Sequence, residues 1–236
     1  SVPQIVKGSR PHMIDITVSD DFKNAGIRVT LGCIQCTVSV TRDHAELDAA
    51  LDTEEERRLE SLGGRPVSEV PQIAAARKAY RAFGKDPARY RVSSEALMRR
   101  LVKGQGIYRI NSVVDTNNLV SLRCGHSIGA FSAELVEGSV VFRKARPGEP
   151  YEAIGRGPMN IEFLPVFADA RGPFGSPTSD SERTKISEKT QTLLMAIIAF
   201  GEDRELATSV AWAAECLQTY CAATDIETAL IGAGYE

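Results

Sequence analysis

The stretch AYRAFGKDPARYRVSSEALMRRLVKGQGIYRINSVVDTNNLVSLRCGHSIGAFSAEL, residues 79–135, carries the strongest structural signals in the chain. The helical spacing of its apolar residues, and of those just before it, predicts three helices. They run from residue 68 or 71 to 83, from 93 or 94 to 103, and from the Asn111 or Ser112 cap to Gly125. Glycines at the ends of these segments act as left-handed stops.

Strands are predicted on both sides of this helical region. Residues 14–18, 27–40, 138–144 and 161–168 alternate or are rich in β-branched residues. Asp43 and Glu46 have the spacing of an N-cap and its partner and predict a helix to about residue 61. The apolar run at residues 187–200 is expected to form a helix, followed by a last helix at 203–223. This mixed order predicts an α+β fold, with mixed sheets and packed helices.

The composition is typical of a soluble globular protein. The chain has 236 residues, of which 43% are hydrophobic and 25% charged. No apolar run reaches the roughly 18 residues of a membrane helix, and residues 1–11 show no secretory signal. Five cysteines, an odd number, do not suggest a disulfide framework. We therefore expect a cytoplasmic protein with no membrane partner.

The charge is unevenly distributed along the chain. The total is −3, but residues 77–109 hold ten basic and two acidic residues, so this block is +8 and the remainder −11. A phosphate backbone needs such a surface, and Tyr80, Phe83, Tyr90 and Tyr108 are candidate stacking platforms. The alternative is a pair of solvated helix faces whose rings point into the core. The candidate RNA-binding residues are Arg77, Arg81, Lys85, Arg99, Arg100 and Lys103.

The cysteines and histidines do not form a recognisable catalytic or metal-binding motif. Cys33 and Cys36 form a CxxC, but within a strand their thiols point to opposite faces, which disfavours zinc and thiolate chemistry. Cys124 and His126 are interpreted as residues that end a helix. No Gly-rich phosphate loop is present. We expect no metal and no cofactor.

Two features suggest a polar site. Asn117 lies on an otherwise apolar helix stripe with Val113, Val120 and Cys124. A buried amide must be hydrogen-bonded, so Asn117 either satisfies a backbone group or faces a polar cavity. Residues 169–182 are rich in Gly, Pro and Ser and predict a loop long enough to be functional.

The ordered segments YRAFGKDP, SSEAL, VVD and IGAF resemble the B3/B4 domain of the phenylalanyl-tRNA synthetase beta subunit. They resemble free-standing proteins that carry this domain alone more closely. With further matches at residues 27–40 and 184–190, the resemblance covers about residues 13–200, and 201–236 is expected to be a C-terminal helical extension. The resemblance implies an α+β fold of interleaved B3 and B4 parts. It also implies a cavity that hydrolyses the ester of a mischarged aminoacyl-tRNA.

The resemblance also assigns residues to that cavity. Gly129 stands where the family has its editing histidine, and Ala196 where it has an acid. The candidate replacements for catalysis are His126, Asp180 and Glu182. Backbone N–H groups of residues 172–176 are expected to form an oxyanion hole. The candidate substrate-binding residues are Asn117, Asn118, Gly129, Gly172 and Gly175.

The sequence therefore predicts a stand-alone tRNA-editing-like domain that binds tRNA or other RNA and hydrolyses a mischarged aminoacyl ester. Ligase activity is not expected, since no class II synthetase motif is present. The alternative is a non-catalytic binding module for an amino acid-like small molecule or a protein partner. A homo-oligomer is compatible with either function.

Overall fold

The computed structural model describes residues 12–232. The prediction about a signal at residues 1–11, and the last four residues of the expected extension, lie outside the described residues. The α-helices are α1 (Asp20–Asn24), α2 (Ala45–Leu62), α3 (Pro71–Ala82), α4 (Ser93–Val102), α5 (Ser112–Cys124) and α6 (Leu206–Cys221). The strands are β1 (Ile16–Val18), β2 (Val29–Thr37), β3 (Ser127–Ser132), β4 (Val140–Lys144), β5 (Glu152–Ala153), β6 (Gly157–Pro158), β7 (Pro165–Asp169), β8 (Gly172–Gly175), β9 (Thr192–Phe200) and β10 (Thr224–Gly232).

The strands form two four-stranded sheets and one small hairpin. Sheet A has the order β1-β4-β7-β8, and sheet B has the order β10-β2-β9-β3. Sheet B is antiparallel throughout, whereas β1 and β4 of sheet A are parallel. The mixed sheets and packed helices confirm the predicted α+β class.

Sheet B is covered on both faces. Leu194 and Ile198 of β9 belong to the core shared with sheet A, which includes Phe142 and Phe167. Their neighbours in the strand point to the opposite face and pack with residues of α5 and α6. Within this sheet, the strands β2, β9 and β3, which position the candidate site, are therefore buried on both faces.

The predicted helix at residues 187–200 is wrong, because Thr192–Phe200 is the strand β9. All its residues after Thr192 are buried. A strand buried on both faces has no alternation of polar and apolar residues, so its apolar run has the same appearance as a buried helix.

The C-terminal segment contains a helix, as predicted, and also a strand that was not predicted. α6 packs so closely on sheet B that a Cβ at Gly32 would lie 2.5 Å from Cγ2 of Val210. β10 then pairs with β2 and forms the outer edge of the sheet. Both elements thus complete the layer that carries β9.

The helical region agrees with the prediction within a few residues. Asn111 Oδ1 accepts from Val114 N at the start of α5, and Gly125 ends the helix in the left-handed region. The predicted N-cap Asp43 is wrong, since His44 caps α2. Cys33 and Cys36 lie in different cores, as strand geometry predicts. Among residues 12–232, no helix is long and apolar enough to cross a membrane.

Candidate functional site

β3 lies at the edge of sheet B and carries the position where the resemblance implies a catalytic side chain. Gly129 pairs directly with Ala196 of β9. A Cβ at Gly129 would lie 2.4 Å from Cζ of Phe131, and one at Gly175 would lie 2.4 Å from Cε1 of the same ring. The Phe131 ring therefore fills the space between β3 and β8 that larger side chains would need.

Asp180 reaches the outer edge of β3 from the segment that follows β8. Its Oδ2 accepts a hydrogen bond of 3.3 Å from Ala130 N. Its Oδ1 is buried and has no hydrogen-bond partner among the described residues, although the residue as a whole keeps some exposure. Burial raises the pKa of Asp180 to about 7, and the backbone hydrogen bonds only partly oppose this effect.

Asn117 approaches the same edge from α5. Its Nδ2 donates to Ile128 O at 3.5 Å, and its Oδ1 is buried without a partner in the described part of the chain. Alternate residues of a strand direct their backbone groups to the same side, so Asn117 and Asp180 contact neighbouring groups of β3. Two side chains that each keep an unpaired acceptor oxygen thus contact one edge of the strand. Asn118 follows on α5 and is half-buried.

Hydrogen bonds hold the segment that carries Asp180. Ser176 Oγ and the Tyr151 hydroxyl both donate to Ser179 O, at 3.0 and 2.6 Å. Thr178 Oγ1 donates to Tyr90 O and lies 2.8 Å from the Tyr80 hydroxyl. Burial raises the pKa of Tyr80 and Tyr151, so both hydroxyls stay protonated near neutral pH. The loop is therefore fixed to sheet A and to α3.

His126 is placed away from Asp180. Its Nε2 lies 2.5 Å from Oδ2 of Asp203 in the connection before α6, and its side chain is 3% exposed. Burial lowers the pKa of His126, although Asp203 opposes the shift. His126 precedes Ala130 by four residues, about 13 Å along an extended strand. The pair therefore connects the start of β3 to the β9–α6 connection.

Glu182 and Gly172 also lie apart from the β3 edge. Glu182 Oε2 accepts from Lys185 Nζ at 2.6 Å, which lowers the pKa of Glu182, and its Oε1 accepts from Gly155 N. Gly172 begins β8, about 10 Å from Gly175 at the end of the same strand. Of the predicted loop donors at 172–176, residues 172–175 belong to a strand paired with β7, which corrects the loop prediction at 169–182.

Part of the basic block forms a face of α3 and α4 around a buried acid, whereas its last member, Arg109, pairs with acids of α2. Glu95 is fully buried, and Arg77, Arg91 and Arg99 approach its Oε1 to 2.9, 3.5 and 2.8 Å. Arg81 and Lys103 are exposed, and Lys85 lies over the Tyr90 ring.

The other members of the block do not all face solvent. Arg100 donates to Gly106 O and stacks on Tyr108, a ring that is 65% exposed. Tyr80 and Phe83 are buried in the core, which agrees with the alternative interpretation of their rings and removes them as candidate stacking platforms.

Sequence reasoning missed the roles of Phe131, Asp203 and Glu95. Phe131 follows Gly129 by two residues, so strand alternation alone puts both on one face. The partners of Asp203 and Glu95 depend on contacts between distant segments and left no local signal. Within residues 12–232, no group of three or more His, Cys, Asp or Glu is arranged to hold a metal ion.

Comparison with known proteins agrees with this architecture. The B3/4 domain family model matches residues 75–213. Phenylalanine–tRNA ligase beta subunits from Protochlamydia amoebophila and Geobacter sulfurreducens are 29% and 39% identical over 101 and 105 residues. These matches cover 42% and 43% of this chain and 13% of each relative, so the similarity spans a small part of those proteins.

A solved structure shows the same fold. It is an N-terminal fragment of the phenylalanyl-tRNA synthetase beta subunit from Pyrococcus horikoshii, with 13% identity and a TM-score of 0.50. The match covers 97% of this chain and 56% of the fragment. Since the family model matches more than half of the sequence, the chain belongs to the B3/4 domain family.

Proposed function

We propose that this domain binds the aminoacylated 3′ end of a tRNA and hydrolyses the aminoacyl ester, with Asp180 as the general base. The observation that carries this proposal is that Asp180 and Asn117 each contact the backbone of β3, at Ala130 N and Ile128 O, and each keep a buried Oδ1 without a hydrogen-bond partner among the described residues. Proteins rarely leave buried oxygens without partners, and such groups are often found where a ligand binds.

The pKa of Asp180 suits a base that works near neutral pH. A carboxylate with a pKa of about 7 is largely ionised just above that pH and still takes up a proton readily. The hydrogen bond from Ala130 N fixes one carboxylate oxygen and leaves the other for a water molecule.

Asn117 supplies the recognition of the substrate. Every aminoacyl ester carries an α-ammonium group, which is a strong hydrogen-bond donor and needs acceptor oxygens. The Asn117 amide contacts Ile128 O on the edge of β3 that also binds Asp180, and its own oxygen is without a hydrogen-bond partner among the described residues. This arrangement recognises the ester class, and it leaves the choice of amino acid to other contacts.

The reaction needs one water molecule and no cofactor. Asp180 Oδ1 takes a proton from the water. At the same time the water oxygen attacks the carbonyl carbon of the ester and forms a tetrahedral intermediate. The bond between that carbon and the ribose oxygen then breaks. Asp180 returns the proton to the ribose oxygen, which leaves a free amino acid and a deacylated tRNA.

Two observations favour tRNA as the substrate: the names of the matched relatives and the positive charge of α3 and α4. The matched relatives are named as ligases for tRNA, and the basic face of α3 and α4 adjoins the segment that holds Asp180. Ser93 N donates to Pro177 O at 2.7 Å, which brings the first turn of α4 to that segment. An RNA backbone on the basic face would thus end near the β3 edge.

One observation favours the alternative of binding without catalysis. Phe131 fills the space next to Gly129, so the positions that the resemblance assigns to an editing histidine and an acid hold no reactive group. On this alternative the same edge binds an amino acid-like molecule and releases it unchanged.

The test is deacylation of a panel of mischarged aminoacyl-tRNAs by the full chain. Asp180→Asn should lower the rate by about 10²–10⁴-fold, since it removes the base. Asp20→Asn, an exposed acid in the first turn of α1, is the matched control and should retain the wild-type rate. Wild-type rates equal to the uncatalysed hydrolysis, with measurable binding of the free amino acid, would favour the alternative.

A further inference from the structure

Glu95 is the centre of an unusual charge arrangement. Arg77 Nη1 donates to both of its carboxylate oxygens, at 2.9 and 3.0 Å. This one arginine is enough to neutralise the fully buried acid. Arg91 and Arg99 approach the same Oε1, so the cluster carries three positive charges against one negative charge.

The two additional arginines are accessible. The side chains of Arg91 and Arg99 are each 40% exposed, whereas Arg77 is 16% exposed. Arg99 uses Nε to contact Glu95, and the Nε of Arg91 lies 3.5 Å from the carboxylate without a hydrogen-bond partner among the described residues. The contacts to Glu95 therefore involve Nε and leave the terminal nitrogens of both side chains for another ligand.

Like charges at this spacing repel one another, and an anion that bridges them relieves the repulsion. The planar guanidinium matches phosphate oxygens with paired hydrogen bonds, which makes arginine the preferred residue for this contact. Arg81 is exposed four residues after Arg77 on α3 and adds to the positive potential. The cluster thus has the charge and the donor geometry of a phosphate site.

The arginine cluster is also connected to the segment that carries Asp180. Tyr90 O accepts from Thr178 Oγ1, and Ser93 N donates to Pro177 O. Arg91 lies between these two contacts in sequence, one residue after Tyr90 and two residues before Ser93. The arginines are consequently anchored beside the segment that ends in Asp180.

We propose that Arg91 and Arg99 bind one phosphodiester of the 3′-terminal nucleotides of the RNA while Arg77 neutralises Glu95. This subsite rests on the proposed function for the identity of the RNA, and its anion chemistry follows from the cluster alone. It positions the terminal ribose so that the ester reaches the β3 edge.

The test uses the full chain and a short single-stranded RNA ending in CCA, with inorganic phosphate as a second probe. Arg91→Ala is the informative variant, because Glu95 keeps Arg77 and Arg99 as partners. It should weaken RNA binding by about tenfold and reduce the salt dependence by about 0.7 in log affinity against log salt. Arg171→Ala, a 56% exposed arginine in the β7–β8 turn, is the control and should bind as wild type does.

The outcomes separate this subsite from the hydrolytic proposal. Arg91→Ala should raise KM and retain kcat, whereas Asp180→Asn should lower kcat and retain RNA affinity. Arg91→Lys keeps the positive charge and loses the paired N–H donors of the guanidinium, so it should bind RNA with intermediate affinity. Equal RNA affinity of Arg91→Ala and wild type would overturn the subsite, and so would a phosphate affinity that RNA does not compete for.

Discussion

Phe131 is the residue that most changes the site relative to what the resemblance implies. Its ring packs against Phe167 and Phe174, with centroids 5.4 and 4.8 Å away, and it has no exposed surface. The ring therefore cannot move aside without disturbing the core between the two sheets. Gly129 and Ala196 carry no reactive group, and the nearest acid is Asp180, whose Oδ1 lies 3.2 Å from the position that a Cβ at Gly175 would take next to the Phe131 ring.

Gly129→Ala tests this packing. The added methyl group would meet Cζ of Phe131 at 2.4 Å, so the free energy of unfolding should fall by about 1–3 kcal/mol. Chemical denaturation measures the change. Phe131→Leu shortens the obstructing side chain, so the double variant should lose less stability than the two single changes together. Additive losses would show that the ring does not limit this position.

Asp180→Asn should change how stability depends on pH. Burial raises the pKa of Asp180 to about 7, so the folded state holds a proton that the unfolded state has already lost. The stabilising effect of that proton is complete below the unfolded pKa of about 3.9 and is lost as the pH rises through about 7. The variant should gain about 4 kcal/mol over wild type between acid and slightly basic pH, since each unit of pKa difference between the folded and unfolded states corresponds to about 1.4 kcal/mol. A constant difference across this range would contradict the assignment.

Among the secondary-structure elements, the helices were predicted from local sequence signals. The same signals did not predict strands that are buried on both faces. Asn111 and Gly125 mark the ends of α5 in the sequence and in the structure. β9 was predicted as a helix because a doubly buried strand has no periodic polar face. β10 was not predicted because its partner strand, β2, lies far from it in the sequence. Asn117 was singled out as a polar residue on an apolar stripe, and its amide donates to Ile128 O, whereas the contact of Asp180 with β3 depends on the fold of a distant loop.

His126 and Asp203 connect two elements, and their separate and joint replacement should show this. His126→Ala should lower the free energy of unfolding by about 2 kcal/mol, since it leaves Asp203 without its partner. Asp203→Ala in the same chain should add little further loss. Deacylation should keep its kcat in the folded His126→Ala variant. A large loss of kcat with unchanged stability would instead give His126 the catalytic role that the sequence suggested.

For the whole molecule, the C-terminal segment is expected to be part of the folding unit. α6 buries Leu206, Val210 and Leu217 against sheet B, and β10 covers the edge of β2. A chain that ends after Gly201, close to the boundary expected from the resemblance, would expose this apolar face and a free strand edge. It should be insoluble or lack a cooperative thermal transition. A soluble, cooperatively folding fragment would show that residues 202–236 are a separate extension.

The central claim is that Asp180 is the base that activates water at the edge of β3. Its most direct test is the pH dependence of kcat/KM for deacylation of a mischarged aminoacyl-tRNA. The rate should rise with pH as Asp180 ionises, with a midpoint near its pKa of about 7, and level off above it. In Asp180→Asn this ionisation should be absent and the residual rate should be low. If Asp180→Asn kept most of the activity and the wild-type midpoint of the pH dependence, Asp180 would not be the base.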